Sequence, residues 1–450
     1  MSSSPASRPP NQAHALGHRL SRRAFFGSAG MGVAGLGLLQ SPAIAEQLAK
    51  SQKRVIMLFL SGGMSQFESW DPKPGRPTGG PFQAIQTSVP GYHISELMPK
   101  MAAQLHRHTA VIRSVESKNV DHVDKTLYAG MKVVAGLNMP SIGSMLCREL
   151  ANPELAVPHH VMFTASAYRG GHYTESPGFY GSQWGPINVL PDHIPPRPPF
   201  RHLGTSVLRL SPNSMGLPSG MTIRQHADRE QVRDRLSQAF LEGRNRDAVL
   251  MGHSAGYSRV RGLMDCSHLY DIEKEPRKIR DAYGLTGFAQ QTLLARRLVE
   301  AGVPFVRVNF GWWDTHGQNF EAHQEMVPEL DHVMTTLLDD LATRGLLEHT
   351  LVVTFSEMGR TPKVNDNMGR DHFTRFSVSL SGCGIKPGVI YGETDADGQE
   401  ISKDPVTLHE LFATIFKAVG VDHQKEYHSP DGRPVPLTEY GTEPVAAVLA

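Results

Sequence analysis

The chain has 450 residues, of which 40% are hydrophobic and 20% are charged, so it is long enough to bury a large core. Its 45 Lys and Arg residues nearly cancel its 44 Asp and Glu residues, and this balance argues against a protein that binds nucleic acid. Three cysteines are too few for a disulfide framework or for a zinc site built from Cys-x-x-Cys pairs. The composition also excludes a bundle of membrane-spanning helices.

The first 45 residues have the features of an export signal. Arg22 and Arg23 are followed by an uncharged, glycine-rich stretch from Gly27 to Leu39, and Ala43-Ile44-Ala45 offers the small residues that a signal peptidase needs. The apolar stretch is too short and too rich in glycine to span a bilayer well, although a short N-terminal anchor is the alternative. We expect a twin-arginine signal peptide over residues 1–45, a periplasmic or extracellular mature chain, and no transmembrane segment after cleavage.

Beyond residue 45 the sequence alternates between strand patterns and helix patterns. A continuous apolar run predicts a buried strand at Val55–Leu60, and a second such run predicts one at Thr109–Arg113. Pro304–Phe310, Leu351–Phe355 and Phe376–Leu380 also have strand patterns. Apolar residues at helical spacing predict helices at Ile94–Leu105, Phe288–Ala301 and Val327–Leu341. Strands separated by helices indicate an α/β fold with a doubly wound, mostly parallel sheet that has helices on both faces.

Residues from about 153 to 280 interrupt this alternation. The segment is rich in Pro, Gly, His and Arg, and only the stretch Gln231–Leu241 has a helical pattern. We therefore expect a single α/β domain over residues 46–450 that carries a long irregular insertion, rather than two domains.

Carboxylates and imidazoles follow the ends of the predicted strands. In open α/β sheets, ligands bind beyond the carboxyl ends of the strands. Carboxylates brought together there would repel one another unless a cation lay among them. Oxygen and nitrogen ligands suit a divalent metal such as zinc, manganese, iron or calcium. The residues placed in this way are Glu68, Asp71, His122, Asp314, His316, Glu357, Arg360, Asp371 and His372.

Structural roles are open for each of these residues on its own. Asp314 could cap a loop and His316 could bond to the backbone. Glu357 and Arg360 could form a buried ion pair, and Asp371-His372 could be an ordinary turn. Their joint placement after neighbouring strands favours a metal site.

Several ordered motifs of this sequence resemble those of DUF1501, a family of uncharacterised secreted proteins. They are Gly62-Gly63-Met64-Ser65-Gln66-Phe67, Trp70-Asp71-Pro72-Lys73-Pro74, the segment Leu294–Val306, Trp313-Asp314-Thr315-His316-Gly317, Glu357-Met358-Gly359-Arg360-Thr361-Pro362 and Gly369-Arg370-Asp371-His372. That family in turn resembles the alkaline phosphatase and sulfatase superfamily. Members of the superfamily carry metal ligands at the strand ends of a doubly wound sheet and cleave phosphate or sulfate esters.

The resemblance implies roles for the residues at the strand ends. The metal-ligand candidates that it implies are Asp314, His316, Glu357, Asp371, His372 and Asp71. The superfamily's usual Asp after the first strand is replaced here by Ser61-Gly62-Gly63, so Asp71 or Glu68 would have to stand in for it. If the site is active, Arg360 would hold a tetrahedral anion, and His316, His122 or His372, if it does not bind the metal, would protonate the leaving group.

The nucleophile has no single candidate. No cysteine begins a Cys-x-Pro-x-Arg motif, so the formylglycine of ordinary sulfatases cannot form. Ser114, Ser117, His122 and Thr126 all follow or end the second strand.

We therefore expect a secreted hydrolase that uses a divalent metal to cleave anionic esters, for instance in a sulfated or phosphorylated polysaccharide. The alternatives are a secreted binding or scaffold protein with an eroded hydrolase site, or a protein that binds acidic polysaccharide through its Arg- and His-rich insertion.

Overall fold

The structure of the chain, a computed structural model, describes residues 52–118, 120, 122, 136–152, 155, 157–163, 175–189, 220–242 and 266–450. These residues belong to one compact unit, Leu48–Ala450. The predicted signal peptide, residues 1–45, and the candidate nucleophile Thr126 lie outside the described residues.

Strands and helices alternate along most of the described chain. The strands are β1 (Arg54–Leu60), β2 (Ala84–Gln86), β3 (His93–Ser95), β4 (Thr109–Glu116), β5 (His160–Phe163), β6 (Ile187–Val189), β7 (Phe305–Phe310), β8 (Thr350–Phe355), β9 (Gly359–Val364), β10 (Arg370–Phe373), β11 (Arg375–Gly382), β12 (Ile390–Tyr391), β13 (Glu393–Thr394), β14 (Ile401–Lys403), β15 (Val406–Thr407), β16 (Glu426–His428) and β17 (Pro434–Pro436). The helices are α1 (Pro99–His108), α2 (Ile142–Leu150), α3 (Ile223–Leu241), α4 (Arg277–Tyr283), α5 (Gly287–Glu300), α6 (Asn319–Thr343) and α7 (Leu408–Ala418).

One mostly parallel sheet of nine strands forms the centre of the fold. Eight strands lie in the order β12-β4-β11-β8-β1-β7-β5-β6, and β15 also pairs with β4. Only β11 runs antiparallel to its neighbours β4 and β8 in this sheet, and the other described pairs of the sheet are parallel. The predicted mostly parallel sheet is thus confirmed.

Helices cover both faces of the sheet. Strand β1 is buried along its whole length, and its residues alternate between two hydrophobic clusters. Ile56 and Leu58 pack into the cluster that contains apolar residues of α1, α5 and α6. Val55 and Met57 pack into the cluster that contains residues of α2 and α7. Because both faces are buried, the strand reads in the sequence as a continuous apolar run, as expected for a doubly wound sheet.

The predicted strands and two of the three predicted long helices are present. The five predicted strands correspond to β1, β4, β7, β8 and β11, and two predicted helices correspond to α5 and α6. The helix predicted from Ile94 was placed too early, because Ile94 lies in β3 and α1 begins only at Pro99. Proline fits the first turn of a helix, where its missing N–H is not needed.

Residues 153–280 contribute more to the sheet than the sequence analysis predicted. Strands β5 and β6 lie in this region and extend the sheet beyond β7. They have four and three residues, which is too short for a readable periodicity. The helix predicted near Gln231 is part of α3, which begins with a capping box formed by Thr222 and Gln225.

Among the described residues, none of the helices combines the length and apolar character needed to span a membrane.

Candidate metal centre

The ends of the parallel strands bring the candidate residues to one edge of the sheet. Strand β7 leads to Asp314, and the neighbouring strands β1 and β8 lead to Gly62 and Glu357. Because β11 is antiparallel, the chain enters it from this same edge. The β9–β10 hairpin that precedes β11 therefore adds Arg360 and His372 to the same region.

Four side chains converge there: His122, Asp314, His316 and His372. Each offers one potential ligand atom, and these atoms all lie within 4.8 Å of one another. The Nε2 atoms of His316 and His372 lie 3.1 and 3.3 Å from Oδ1 of Asp314, and Nε2 of His122 lies 3.3 Å from Oδ2. Three imidazoles and one carboxylate at these distances are suitable ligands for a divalent transition metal. We call these four residues the metal-ligand cluster.

Two further carboxylates contact the outer nitrogens of two of these histidines. Oδ1 of Asp371 lies 2.7 Å from Nδ1 of His316, and Oε1 of Glu357 lies 3.2 Å from Nδ1 of His122. A metal-bound histidine commonly donates its other N–H to a carboxylate, which fixes its tautomer and orientation. Asp371 and Glu357 were predicted as metal ligands, but the structure places them behind the histidines.

His122 was predicted as a proton donor, and the structure places it in the metal-ligand cluster instead. Burial alone would lower the pKa of His122, but the carboxylates of Asp314 and Glu357 outweigh this effect and raise the pKa to about 9. The hydrogen bond from His316 holds the pKa of Asp371 below its usual range. Without a metal, the cluster therefore holds a proton on His122 at neutral pH, and a metal ion would compete with that proton.

Arg360 is fully buried, and its guanidinium is directed into the protein. Its Nη2 donates to Oδ1 of Asp314 at 2.7 Å and also to the carbonyl oxygen of Gly62. Its Nε donates to the carbonyl oxygen of Gly63 at 2.9 Å, and its Nη1 donates to that of Arg370 at 3.0 Å. The structure therefore does not support the predicted role of Arg360 in holding a tetrahedral anion. The guanidinium instead fixes the position of Asp314.

Asp71 and Glu68 are paired with other side chains. Asp71 is buried and lies 3.1 Å from Nζ of Lys73 and 3.4 Å from Nη1 of Arg113. Glu68 lies 2.8 Å from Nη2 of Arg370, and both side chains are fully buried. Neither carboxylate is part of the metal-ligand cluster. The geometry therefore does not support a metal-ligand role for Asp71, or for Glu68 as the alternative to Asp71.

Close backbone packing explains two glycines of the site. Gly62 has a φ of +111°, and a Cβ there would lie 2.4 Å from the backbone nitrogen of Asp314. A Cβ on Gly369 would lie 2.0 Å from the carbonyl carbon of His316. A side chain at either position would displace a residue of the metal-ligand cluster. Both glycines belong to motifs of the sequence, but their packing role could not be predicted from those motifs.

Two of the predicted nucleophiles are buried. The hydroxyl of Ser114 donates to the carbonyl oxygen of Asp404, and the side chain has no exposed surface. Ser117 is 1% exposed. Both side chains are almost fully buried, and Ser117 borders a cavity between the end of β4 and the start of α7.

Several solved structures of low sequence identity show some similarity to this chain. Lipoteichoic acid synthase LtaP from Listeria monocytogenes is 9% identical, with a TM-score of 0.35 over 83% of this chain and 73% of its own. The PsFucS1 sulfatase from Pseudoalteromonas sp. is 13% identical, with a TM-score of 0.35 over 85% and 72%. The C-terminal periplasmic domain of EcEptC from Escherichia coli, in a complex with Zn, is 9% identical, with a TM-score of 0.37 over 89% and 96%.

No curated protein matches the chain. A family described as "Protein of unknown function (DUF1501)" matches residues 52–449, which is nearly all of the sequence. The chain therefore belongs to the DUF1501 family.

Proposed function

We propose that this protein is a secreted, metal-dependent hydrolase of phosphate or sulfate esters. The observation that carries the proposal is the convergence of three imidazole Nε2 atoms on the carboxylate of Asp314, each within 3.3 Å. The carboxylates behind His122 and His316 support it, because they present Nε2 of each ring to the centre of the cluster. The resemblance of the sequence motifs to the alkaline phosphatase and sulfatase superfamily supplies the class of substrate.

The residues of the metal-ligand cluster fit a transition metal better than calcium. Three of the four ligand atoms are imidazole nitrogens, which suit zinc, manganese or iron, whereas calcium is bound by oxygen atoms. When bound, such an ion would neutralise charge on the ester oxygens and lower the pKa of a nucleophile.

The protein's own residues would position the ion and the substrate. Arg360 fixes Asp314 from inside, and Asp371 orients His316 from the solvent side. The side chain of His316 is 46% exposed, so the substrate would approach the cluster over this ring. Of the predicted nucleophiles within the described residues, Ser114 and Ser117 are buried and His122 lies in the metal-ligand cluster, so water is the nucleophile that we propose.

Metal analysis together with an ester panel tests the proposal. Wild type, Asp314→Ala and the control His428→Ala, an exposed histidine outside the cluster, would be purified without chelator. Elemental analysis would measure bound metal, and 4-nitrophenyl phosphate, 4-nitrophenyl sulfate and sulfated polysaccharides would serve as substrates. We expect bound metal and hydrolysis of at least one ester class in the wild type and in His428→Ala, and loss of both in Asp314→Ala. A wild type without metal or hydrolysis would contradict the proposal.

A non-catalytic binding or scaffold protein is the second candidate. The inward direction of Arg360 and the burial of Ser114 favour this candidate. Arg360 does not point toward a substrate anion, and Ser114 is not exposed as a nucleophile. Stoichiometric metal, no turnover of any ester, and retention on a sulfated polysaccharide column would together support this candidate.

We also propose export by the twin-arginine pathway, on the basis of Arg22 and Arg23. Replacing both by Lys should leave the full-length chain in the cytoplasm, whereas Arg8→Lys, outside the motif, should not. Cell fractionation with an antibody to the mature chain measures this, and unchanged export of the double variant would contradict the pathway.

A further inference from the structure

Four oxygen atoms surround the guanidinium of Arg360. One is Oδ1 of Asp314, at 2.7 Å from Nη2. The other three are the carbonyl oxygens of Gly62, Gly63 and Arg370. The side chain of Arg360 has no exposed surface, so this is a buried cation held by one carboxylate and three carbonyls.

The same set of acceptors would suit a hard metal ion, since calcium and magnesium are bound by carboxylate and backbone carbonyl oxygens. Asp314 thus lies between two groups of different chemistry, with imidazole nitrogens on one side and the oxygen-lined position of Arg360 on the other. We propose that the guanidinium of Arg360 occupies the position of a second cation beside Asp314, so that the site binds one metal ion per chain. This inference rests on the proposed function, because it presupposes the ion held by the metal-ligand cluster.

The other carboxylates near the site agree with a single ion. Glu68 is paired with the guanidinium of Arg370, and Asp71 is paired with Lys73 and Arg113. Each of these two carboxylates already faces a side-chain cation, as Asp314 does on its Arg360 side. Glu68 and Asp71 are therefore balanced by arginine and lysine rather than left for a second metal. Glu357, another buried carboxylate beside the cluster, contacts Nδ1 of His122 and accepts a hydrogen bond from the backbone N–H of Gly62.

A guanidinium differs from a metal ion in two respects that matter here. It stays charged at every physiological pH, and it cannot dissociate. Asp314 therefore keeps a fixed positive neighbour whatever the supply of metal. Arg360 is in this sense a positioning residue, since it contacts the ligand Asp314 and not the substrate.

Metal stoichiometry of the wild type is the first test. The protein would be loaded with Mn²⁺ or Zn²⁺, freed of excess metal and measured by elemental analysis and native mass spectrometry. We expect one ion per chain, lost in Asp314→Ala. Two ions per chain, both lost in Asp314→Ala, would overturn the inference and leave the proposed function standing. No bound ion would contradict the proposed function, and the one-ion stoichiometry with it.

The second test uses Arg360→Ala, which removes the guanidinium and leaves the four oxygen atoms. Millimolar Ca²⁺ or Mg²⁺ should raise the melting temperature of this variant by about 3 °C or more, because an ion that binds only the folded state stabilises it. Wild type and Arg360→Lys, which keeps a cation in place, should not respond. A folded Arg360→Ala that is indifferent to both ions would overturn the inference. If the variant does not fold, the wild-type stoichiometry decides.

Discussion

Two clusters of this protein combine a carboxylate, imidazole and guanidinium on the same central sheet. They differ in solvent exposure and in the number of imidazoles that face the carboxylate. The metal-ligand cluster lies beyond the strand ends. The second cluster, which we call the buried cluster, consists of Glu175, Arg307, His160 and Ser141. Oε1 of Glu175 lies 3.2 Å from Nη1 of Arg307, while Oε2 accepts a hydrogen bond from Ser141 at 2.7 Å and lies 3.5 Å from Nε2 of His160. All four residues are buried.

The difference shows why residue types alone do not identify a metal site. In the buried cluster one carboxylate faces one guanidinium, one imidazole and one hydroxyl. Burial would raise the pKa of Glu175, but His160 and Arg307 outweigh it and lower the pKa. In the metal-ligand cluster, one carboxylate faces three imidazoles whose side chains are between 22% and 46% exposed. A surplus of imidazole nitrogens that solvent can reach is what distinguishes a candidate ligand set from a structural ion pair.

Arg307→Met would break the buried cluster and should give the largest effect. It leaves the carboxylate of Glu175 buried without its cation, which typically costs about 3–5 kcal/mol of unfolding free energy. Metal binding by the molecules that stay folded should not change. Urea unfolding curves measure the loss, with the exposed Arg76→Met as control. A loss below about 1 kcal/mol would show that the pair is not structural.

Asp314→Ala breaks the other cluster and should have the opposite pattern. Loss of a ligand should weaken metal binding by more than about 100-fold, because even a change behind a ligand costs about 10–100-fold. Melting of the metal-free protein should change less than in Arg307→Met, since Arg360 keeps its three carbonyl acceptors. Titration calorimetry and thermal melts with chelator measure both quantities, with Asp397→Ala as an exposed control.

A different result for Asp314→Ala would show that both clusters are structural ion pairs. If the wild type holds no metal and the variant loses about 3–5 kcal/mol, Asp314 is a structural ion-pair residue like Glu175.

Asp371→Ala sharpens the comparison, because Asp371 acts only through His316. Metal affinity should fall by about 10–100-fold while the stoichiometry stays the same. Asp366→Ala, an exposed carboxylate in the same hairpin, is the matched control. Complete loss of metal in Asp371→Ala would mean that Asp371 is itself a ligand.

The pH dependence of metal binding should give the smallest effect when it is measured over a single pH unit. The pKa of His122 in the metal-free protein is raised to about 9, above its usual value near 6.5. Its proton therefore stabilises the metal-free fold below pH 6.5, and this stabilisation is lost as the pH rises through 9. Metal must displace the proton, so affinity should rise by at most about 10-fold per unit between pH 7 and 9. Mn²⁺ titrations in buffers of different ionisation heat would detect the released proton, and a pH-independent affinity without proton release would contradict this expectation.

The central strands of the fold could be predicted from the sequence because they are buried on both faces. β1 reads as an uninterrupted apolar run from Val55 to Leu60 for this reason, whereas β7 carries Arg307 and Asn309 and β8 carries Thr354 between apolar residues. The antiparallel direction of β11 could not be predicted, since an apolar run has no direction. β5 and β6 were missed because each is too short to show a pattern and lies in a segment rich in turn-forming residues.

The convergence of the candidate side chains at one edge of the sheet could also be predicted from the sequence, but their arrangement relative to one another could not. The strand-end rule pointed to Asp314, His316 and His372. Whether a carboxylate binds a metal or lies behind a histidine depends on side-chain positions that differ by a few ångströms, so Asp371 and Glu357 could not be told apart from ligands. The inward direction of Arg360 depends on carbonyl oxygens from two separate segments, the turn after β1 and the start of β10, and residue types carry no signal for it.

The metal-ligand cluster is assembled from distant parts of the chain, and this bears on when an ion can bind during synthesis. His122 precedes Asp314 by about 190 residues, and His372 comes from a later hairpin. An unfolded chain loses much entropy when it brings such distant residues together, so tight binding requires the sheet to be complete. An ion that binds only the native state also makes that state more stable. A bound ion in the metal-ligand cluster would then indicate that folding is complete. Under the proposed twin-arginine export, the protein must be folded before it leaves the cytoplasm.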